Sequence, residues 1–323
     1  MLSEFELIRR FFTHRTPGTA LGVGDDAALV RVGAGMDLAV SADMLVEGRH
    51  FVEDADPFLL GHKSLAVNLS DMAAMGAKPR WATLALALPR VNERWLGAYS
   101  RGFLALARKH RVDLMGGDTT RGPLTIGVQI MGEVPRGQAL RRDGAKAGDD
   151  IWVSGRLGCA ALALAAIAGK VRAPRRERRA LEQRLNAPTP RVGLGLQLRK
   201  IASSAIDVSD GLLADLGHIC ERSRVDAVLN WESIPATPFV RSQAQQTDVA
   251  VSAILAGGDD YELCFTAPPR RRSSVVLAAA AARTEVMLVG RIVRRRKKGP
   301  KIEVLDSIGK PLRVRWRGYD HFR

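Results

Sequence analysis

Apolar residues recur at steps of three and four through Leu65, Leu69, Met72, Ala73 and Gly76. That is the spacing of one buried helical face. The helix it predicts begins at Pro57 with Asp56 as N-cap, and Lys78-Pro79 stops it. Asn68, Ser70 and Asp71 interrupt the apolar set. A buried carboxylate must be paired or metal-bound, so Asp71 reads equally as part of a solvated turn or as a ligand.

Other segments follow the same two periodicities. Glu4–Thr13 and Asn92–Lys109 read as amphipathic helices, and Asp37–Asp43 alternates as a half-buried strand ending in a carboxylate. Trp81–Leu88 and Leu124–Val134 read as strands, and Val112–Met115 as a short strand running into Gly116-Gly117-Asp118-Thr119-Thr120. Past a basic, Gly-rich loop over 136–149 come strands at Asp150–Val153, Ala205–Val208, Val225–Asn230, Tyr261–Thr266 and Val286–Val293. Two short strands are expected near Ile302 and Leu312. Helices are expected at Leu157–Ala168, Pro174–Leu185, after Pro190, after Gly211 and near Arg271–Ala282. Strands and helices alternate in both halves, which predicts an α+β fold of mixed α/β layers. The expected domains are 1–148 and 149–323.

Composition narrows the class. The chain has 323 residues, 46% apolar and 26% charged, enough for two cores. Every apolar run is interrupted before it reaches the length of a membrane span. The opening MLSEFELIRRFF has no signal-peptide core, so a cytoplasmic protein is expected. Cys159, Cys220 and Cys264 are too dispersed for a zinc site or a disulfide framework. The net charge of +15 gathers in Arg172–Arg184, Arg270–Arg272 and Arg291–Lys301. None of these runs is interleaved with aromatics as a single-strand binding surface would be, so they read as solvated faces and nucleic acid is not an expected partner.

The aspartates carry the chemistry. Asp25, Asp26, Asp43, Asp118, Asp207 and Asp210 fall where a strand is expected to end or a helix to begin, where α/β folds gather ligands. Each alone reads equally well as a cap or a turn residue. Many carboxylates without His or Cys companions suit a hard cation, and mutual repulsion would require one. Mg²⁺-dependent phosphoryl chemistry is the reading that follows. A P-loop is missing: Gly169-Lys170 and Gly309-Lys310 are followed by Val171 and Pro311. So is the protein-kinase H-R-D set.

Seven motifs in order, GVGDDAAL, SADMLVEGRHF, KSLAVNLSDMAAMGAKP, GGDTTRGPL, AIDVSDGLLADLGHI, GGDDYELCFT and RGYDHF, resemble the thiamine-monophosphate kinase family. The family is related to aminoimidazole-ribotide synthetase. The resemblance implies a two-domain fold of that type, in which an N-terminal domain binds ATP and Mg²⁺ and a C-terminal domain completes the nucleotide and substrate site. It implies transfer of the γ-phosphate of ATP to thiamine monophosphate, several bridging Mg²⁺ ions, and a homodimer in which N-terminal sheets pair. Carried over by motif, Asp26, Ser41, Asp43, Asp71, Asp118, Asp207 and Asp210 fall at metal positions. Asp26, Asp43, Asp71, Asp118 and Asp210 would form the catalytic centre. Gly117, Asp118, Arg142 and Ser209 fall at nucleotide positions, and His50, Asp259 and Trp316 or Tyr319 at substrate positions. His50 reads equally as a structural hydrogen-bonding residue. Two departures stand out: Ala42 replaces a frequent Thr between Ser41 and Asp43, and Asp259 stands where some relatives have Glu.

Sister synthetases make different demands. Selenophosphate synthetase would need a reactive Cys or selenocysteine near the N-terminus, and no Cys precedes Cys159. The hydrogenase-maturation relative would need a C-terminal Cys, whereas this tail ends His321-Phe322-Arg323. A basic nucleic-acid-binding protein would account for the charge but not for the aspartates.

Overall fold

A computed structural model describes residues 4–23, 27–296 and 301–312. Its contacts divide the chain into two compact units, residues 1–72 with 77–137, and residues 73–76 with 138–323. The loop expected to close the first domain joins the second instead. Ala205 N–H donates to the Arg141 carbonyl at 3.1 Å, and Ala145 N–H to Ser223 Oγ at 3.1 Å.

The first unit contains α1 (Glu4–Phe11), β1 (Met36–Val46), α2 (Pro57–Ala74), β2 (Lys78–Leu88), α3 (Glu93–His110), β3 (Asp113–Arg121) and β4 (Thr125–Pro135). Its sheet runs β1-β4-β2-β3, antiparallel except for the β2–β3 pair. Helix α2 is buried nearly all round rather than along one stripe, with Lys63 to Ser70 continuously out of solvent. Two of its polar side chains are answered locally. Ser64 Oγ meets Tyr99 Oη at 2.9 Å, and Lys63 Nζ reaches the His50 carbonyl at 3.4 Å. Asp56 caps the helix through Leu59 N–H at 3.0 Å, as expected. Gly61 and Gly102 let α2 and α3 touch. A Cβ on either would strike the Tyr99 or Phe58 carbonyl oxygen respectively.

Three expected boundaries move. Strand β1 continues past Asp43 to Val46, and β2 begins at Lys78, taking Pro79 in beside a bulge. Strand β3 runs through the Gly-Gly-Asp motif to Arg121, because its pairing with β2 persists to Leu88. Gly117, at φ 150°, is required where a Cβ would collide with the Leu84 carbonyl. Asp43 and Asp118 are therefore strand residues rather than strand ends.

The second unit contains β5 (Asp150–Ser154), α4 (Cys159–Ile167), α5 (Arg175–Asn186), α6 (Val192–Leu198), β6 (Ser204–Val208), α7 (Leu212–Ser223), β7 (Val225–Asn230), α8 (Pro238–Ala244), α9 (Asp248–Ala256), β8 (Glu262–Ala267), α10 (Arg272–Ala281), β9 (Val286–Arg294) and β10 (Ile302–Leu305). The sheet order is β10-β7-β9-β5-β8-β6, with only β10–β7 parallel. Its core includes Ile151, Val153, Leu157, Leu212, Leu216 and Ile254. Helices α8 and α9 were not expected. Thr237 and Thr247 cap them, accepting from Val240 and Ala250 N–H at 3.2 and 3.4 Å. The strand expected near Leu312 is only an isolated bridge between Leu305 and Pro311.

Candidate functional site

In the first unit, Ser41 Oγ donates to Asp71 Oδ2 at 2.6 Å, tying β1 to α2. Asp43, two residues on, leaves the same face of the sheet. One turn before Asp71, Asn68 is buried, and its Oδ1 has no partner among the described residues. His50 Nδ1 accepts Val46 N–H at 2.9 Å, so that nitrogen serves the turn after β1 and Nε2 faces elsewhere.

Asp118 is placed differently. It shares a ladder row with Ala85 and Gly127, whereas Asp43 occupies the adjacent row with Val128, Leu84 and Gly117. Adjacent rows point to opposite faces, so Asp118 and Asp43 leave the sheet on opposite sides. Ala42 and Met44 lie on the Asp118 side.

The second unit gathers its motifs at one end of the six-stranded sheet, where β5 and β6 finish and β8 begins. The turn after β6, Ser209-Asp210-Gly211, is laced to the turn before β8. Asp259 N–H donates to the Ser209 carbonyl and Tyr261 N–H to the Val208 carbonyl, both at 2.9 Å. A Cβ on Gly258 would overlap the Ser209 carbonyl, so the close approach requires glycine. Asp259 and Tyr261 adopt left-handed φ values of 68° and 50°, and Tyr261 Oη donates to Asp259 Oδ1 at 2.9 Å. Backbone of this kind costs on the order of 1–3 kcal/mol per residue and clusters at functional sites.

Three carboxylates at this end escaped the sequence reading. Asp215 Oδ2 accepts the N–H groups of Ser209, Asp210 and Gly211 at 3.1, 3.0 and 3.0 Å. Burial, then the charges of Asp207 and Asp210, push its carboxyl up to about 8, while the N–H bonds pull the other way. Asp260 accepts from Gly158 N–H at 2.7 Å at the start of α4, and burial pushes it up to about 8. Glu262, 2% exposed, takes a bidentate pair from Arg191 at 2.5 and 2.6 Å and Ser154 Oγ at 2.6 Å. The signal for Asp215 is its place in the first turn of a helix after Ser-Asp-Gly. For Asp260 it is the second acid of an Asp-Asp pair.

Ser209, Asp210 and Asp259 are thus brought together, with Asp207 at the end of β6. Arg142 is not among them. Its carbonyl accepts Ser223 Oγ at 2.8 Å, and its neighbour Arg141 meets the start of β6, one strand length from Ser209. Asp26, Trp316 and Tyr319 lie outside the described residues.

The donors present are carboxylates and hydroxyls, which suit a hard cation. Asp207 and Asp210 stand close enough for their charges to act on Asp215. Among the described residues, no three His, Cys, Asp or Glu side chains converge on one point. Mg²⁺ fits such partial sites, because it commonly takes one or two carboxylates and completes its shell with water and phosphate oxygens.

Residues 24–134 match the family described as AIR synthase related protein, N-terminal domain. The chain is 43% identical to a thiamine-monophosphate kinase of Salmonella typhimurium, over 99% of this chain and 98% of that protein. The crystal structure of a thiamine-monophosphate kinase from Stenotrophomonas maltophilia superposes with TM-score 0.82 at 49% identity, covering 89% of this chain and 91% of that one. A structure described as AaThiL complexed with AMPPCP and TMP superposes with TM-score 0.77 at 28% identity, covering 98% and 96%.

Proposed function

This chain belongs to the thiamine-monophosphate kinase family, and we propose that it uses ATP to phosphorylate thiamine monophosphate, giving thiamine diphosphate and ADP. The observation that carries this reading is 43% identity to such a kinase over 99% of this chain and 98% of that protein. The nucleophile is a phosphate oxygen of the substrate, already anionic near neutral pH. No general base is needed, and the difficulty lies in bringing two polyanions into line.

We assign Asp43 and Asp71 in the first unit, and Asp207 and Asp210 in the second, to Mg²⁺, and add Asp26 and Asp118 by motif alone. Bound there, the ions would neutralise phosphate charge and hold the reacting oxygens in line. Ser41 fixes the Asp71 carboxylate by donating to it. Gly117 and Ser209 serve the nucleotide, and Arg142, exposed in the loop before β5, is assigned there by motif alone. His50 through Nε2, and Asp259 held by Tyr261 Oη, serve the substrate, with Trp316 or Tyr319 supplying a ring face for thiamine.

We further propose a homodimer, formed by the sheet face that carries Val40 and Met44, 52% and 62% exposed. Among the described residues no helix is long and apolar enough to cross a membrane, and we place the enzyme in the cytoplasm, acting on small molecules rather than nucleic acid.

The test is formation of thiamine diphosphate from ATP and thiamine monophosphate as Mg²⁺ is titrated. Asp71→Asn, folded by circular dichroism, is expected to lose roughly 10²–10³ in turnover. Well-folded wild-type protein that makes no thiamine diphosphate would overturn the assignment.

A further inference from the structure

A cavity of about 690 Å³ lies wholly in the first unit and uses none of the residues assigned above. Its volume is that of a small-molecule site. One wall is apolar, from Pro17, Leu104, Ala107 and Val112. The rest is cationic: Arg15, Lys78, Arg80, Arg108 and Arg111, with His14 beside them.

These cations come from the loop after α1, from β2, and from the end of α3, so no run in the sequence announces them. Arg80 is partly answered, 3.6 Å from Glu133 and stacked on Trp81. Arg15, Lys78, Arg108 and Arg111 have no carboxylate within ion-pair distance among the described residues. The one acid in the wall, Asp113, is already engaged: its Oδ2 accepts Gly18 N–H at 2.6 Å and Thr19 Oγ at 3.0 Å.

The rim is fixed as well as charged. Gly18 is held from both sides, by Asp113 at its N–H and by Trp81 Nε1 at its carbonyl, 2.8 Å away. The carboxyl end of α3 accounts for Arg108 and Arg111, since cations are favoured there. It does not account for Arg15 and Lys78 converging on the same space. Arg15, Lys78, Arg108 and Arg111 are exposed at the mouth of the cavity, where solvent screens their mutual repulsion, and the guanidinium forks of the three arginines match phosphate oxygens in pairs.

We propose that this cavity is a second anion site, which takes a small molecule bearing two or more phosphate groups without help from a divalent cation. The absence of a metal requirement separates it from the aspartate-lined centre, where phosphate needs Mg²⁺ to approach.

The experiment is calorimetric titration of the whole protein with inorganic tripolyphosphate in EDTA at low salt. Arg15→Glu/Arg108→Glu is compared with Arg175→Glu/Arg179→Glu on the exposed α5, which changes net charge equally. The expected result is binding by the wild type, a rise in Kd of tenfold or more in the pocket variant, and a change within about twofold in the α5 variant. Binding should also weaken as salt rises. Should the charge reversals prevent folding, Arg15→Gln/Arg108→Gln is expected to weaken binding in the same direction. Equal weakening in both double variants would mean diffuse attraction to a basic protein, and unchanged affinity in the pocket variants would place the anion elsewhere. Either result overturns the proposal, as does a wild type that fails to bind.

Discussion

Oδ2 of Asp215 accepts the backbone N–H of Asp210 at 3.0 Å, and the flanking N–H groups of Ser209 and Gly211 share the same oxygen. One carboxylate oxygen therefore shapes the whole turn that presents Ser209 and Asp210. Asp215 need not touch any substrate to matter.

Asp215→Ala leaves three N–H groups without this acceptor. Turnover is expected to fall by roughly 10- to 100-fold, with a raised Mg²⁺ requirement. Asp215→Asn keeps an acceptor oxygen of the same reach and should recover most of that loss. Steady-state kinetics against Mg²⁺ for the two variants provide the check. A purely structural role would lower melting temperature while leaving the Mg²⁺ dependence where it was.

The crossing of α2 and α3 sets where Asp71 stands. Gly102→Ala would drive a methyl into the Phe58 carbonyl, and backbone cannot yield cheaply. The expected cost is about 1–3 kcal/mol, read by urea unfolding, with lowered turnover because α2 shifts. Gly217→Ala in α7 meets nothing within 4 Å and should instead stabilise, by up to about 1 kcal/mol. Similar effects at the two glycines would show that the helix contact does not set the cost.

How much of this was legible in the sequence follows from the range of the interactions involved. Helix α2 could be placed from periodicity and from Asp56. Its burial on every side could not, because that depends on α3 arriving through Gly61 and Gly102. The aspartate motifs of the second unit fell on two turns that the fold brings together, since Ser209-Asp210-Gly211 and Gly257-Gly258 are local backbone signals. Asp118 was misplaced at a strand end, because the pairing that extends β3 comes from β2, over thirty residues away. The basic cavity left no mark at all: Arg15, Lys78 and Arg108 are neighbours only after folding.

His110 provides a pH signature away from the aspartates. Burial, then the charge of Lys109 and the imidazole of His62, push it down to about 4. A base whose pKa is depressed by folding takes up its proton more readily when unfolded. Its contribution is therefore present above about pH 6.5 and lost as pH falls from there through 4. Stability should decline over that window with a slope approaching one proton, about 1.4 kcal/mol per pH unit at most. His110→Asn is expected to flatten the decline, measured by urea unfolding at stepped pH. An unchanged slope would assign the acid sensitivity to other groups.

The ladder that separates Asp43 from Asp118 also bears on assembly. Leu38, Val40, Ala42 and Met44 alternate with Ser41 and Asp43 along β1, so they share one face, and Asp118 is on it. Leu38, Val40 and Met44 are 41%, 52% and 62% exposed. An exposed apolar row along one edge strand, on the face whose opposite edge carries a motif carboxylate, is not a surface that water favours. In a two-fold pair this face would meet its own copy, burying the row and bringing Asp118 of each chain to the partner. Val40→Glu/Met44→Glu would set like charges against each other across that axis, at a cost that a moderate interface cannot absorb. Light scattering should give twice the chain mass for the wild type and the single mass for the variant, with helical content kept. Turnover should fall together with the mass, because the variant changes no assigned ligand. A variant that stays dimeric would leave the apolar row without this role, and one that turns over normally as a monomer would free Asp118 from any dependence on a second copy.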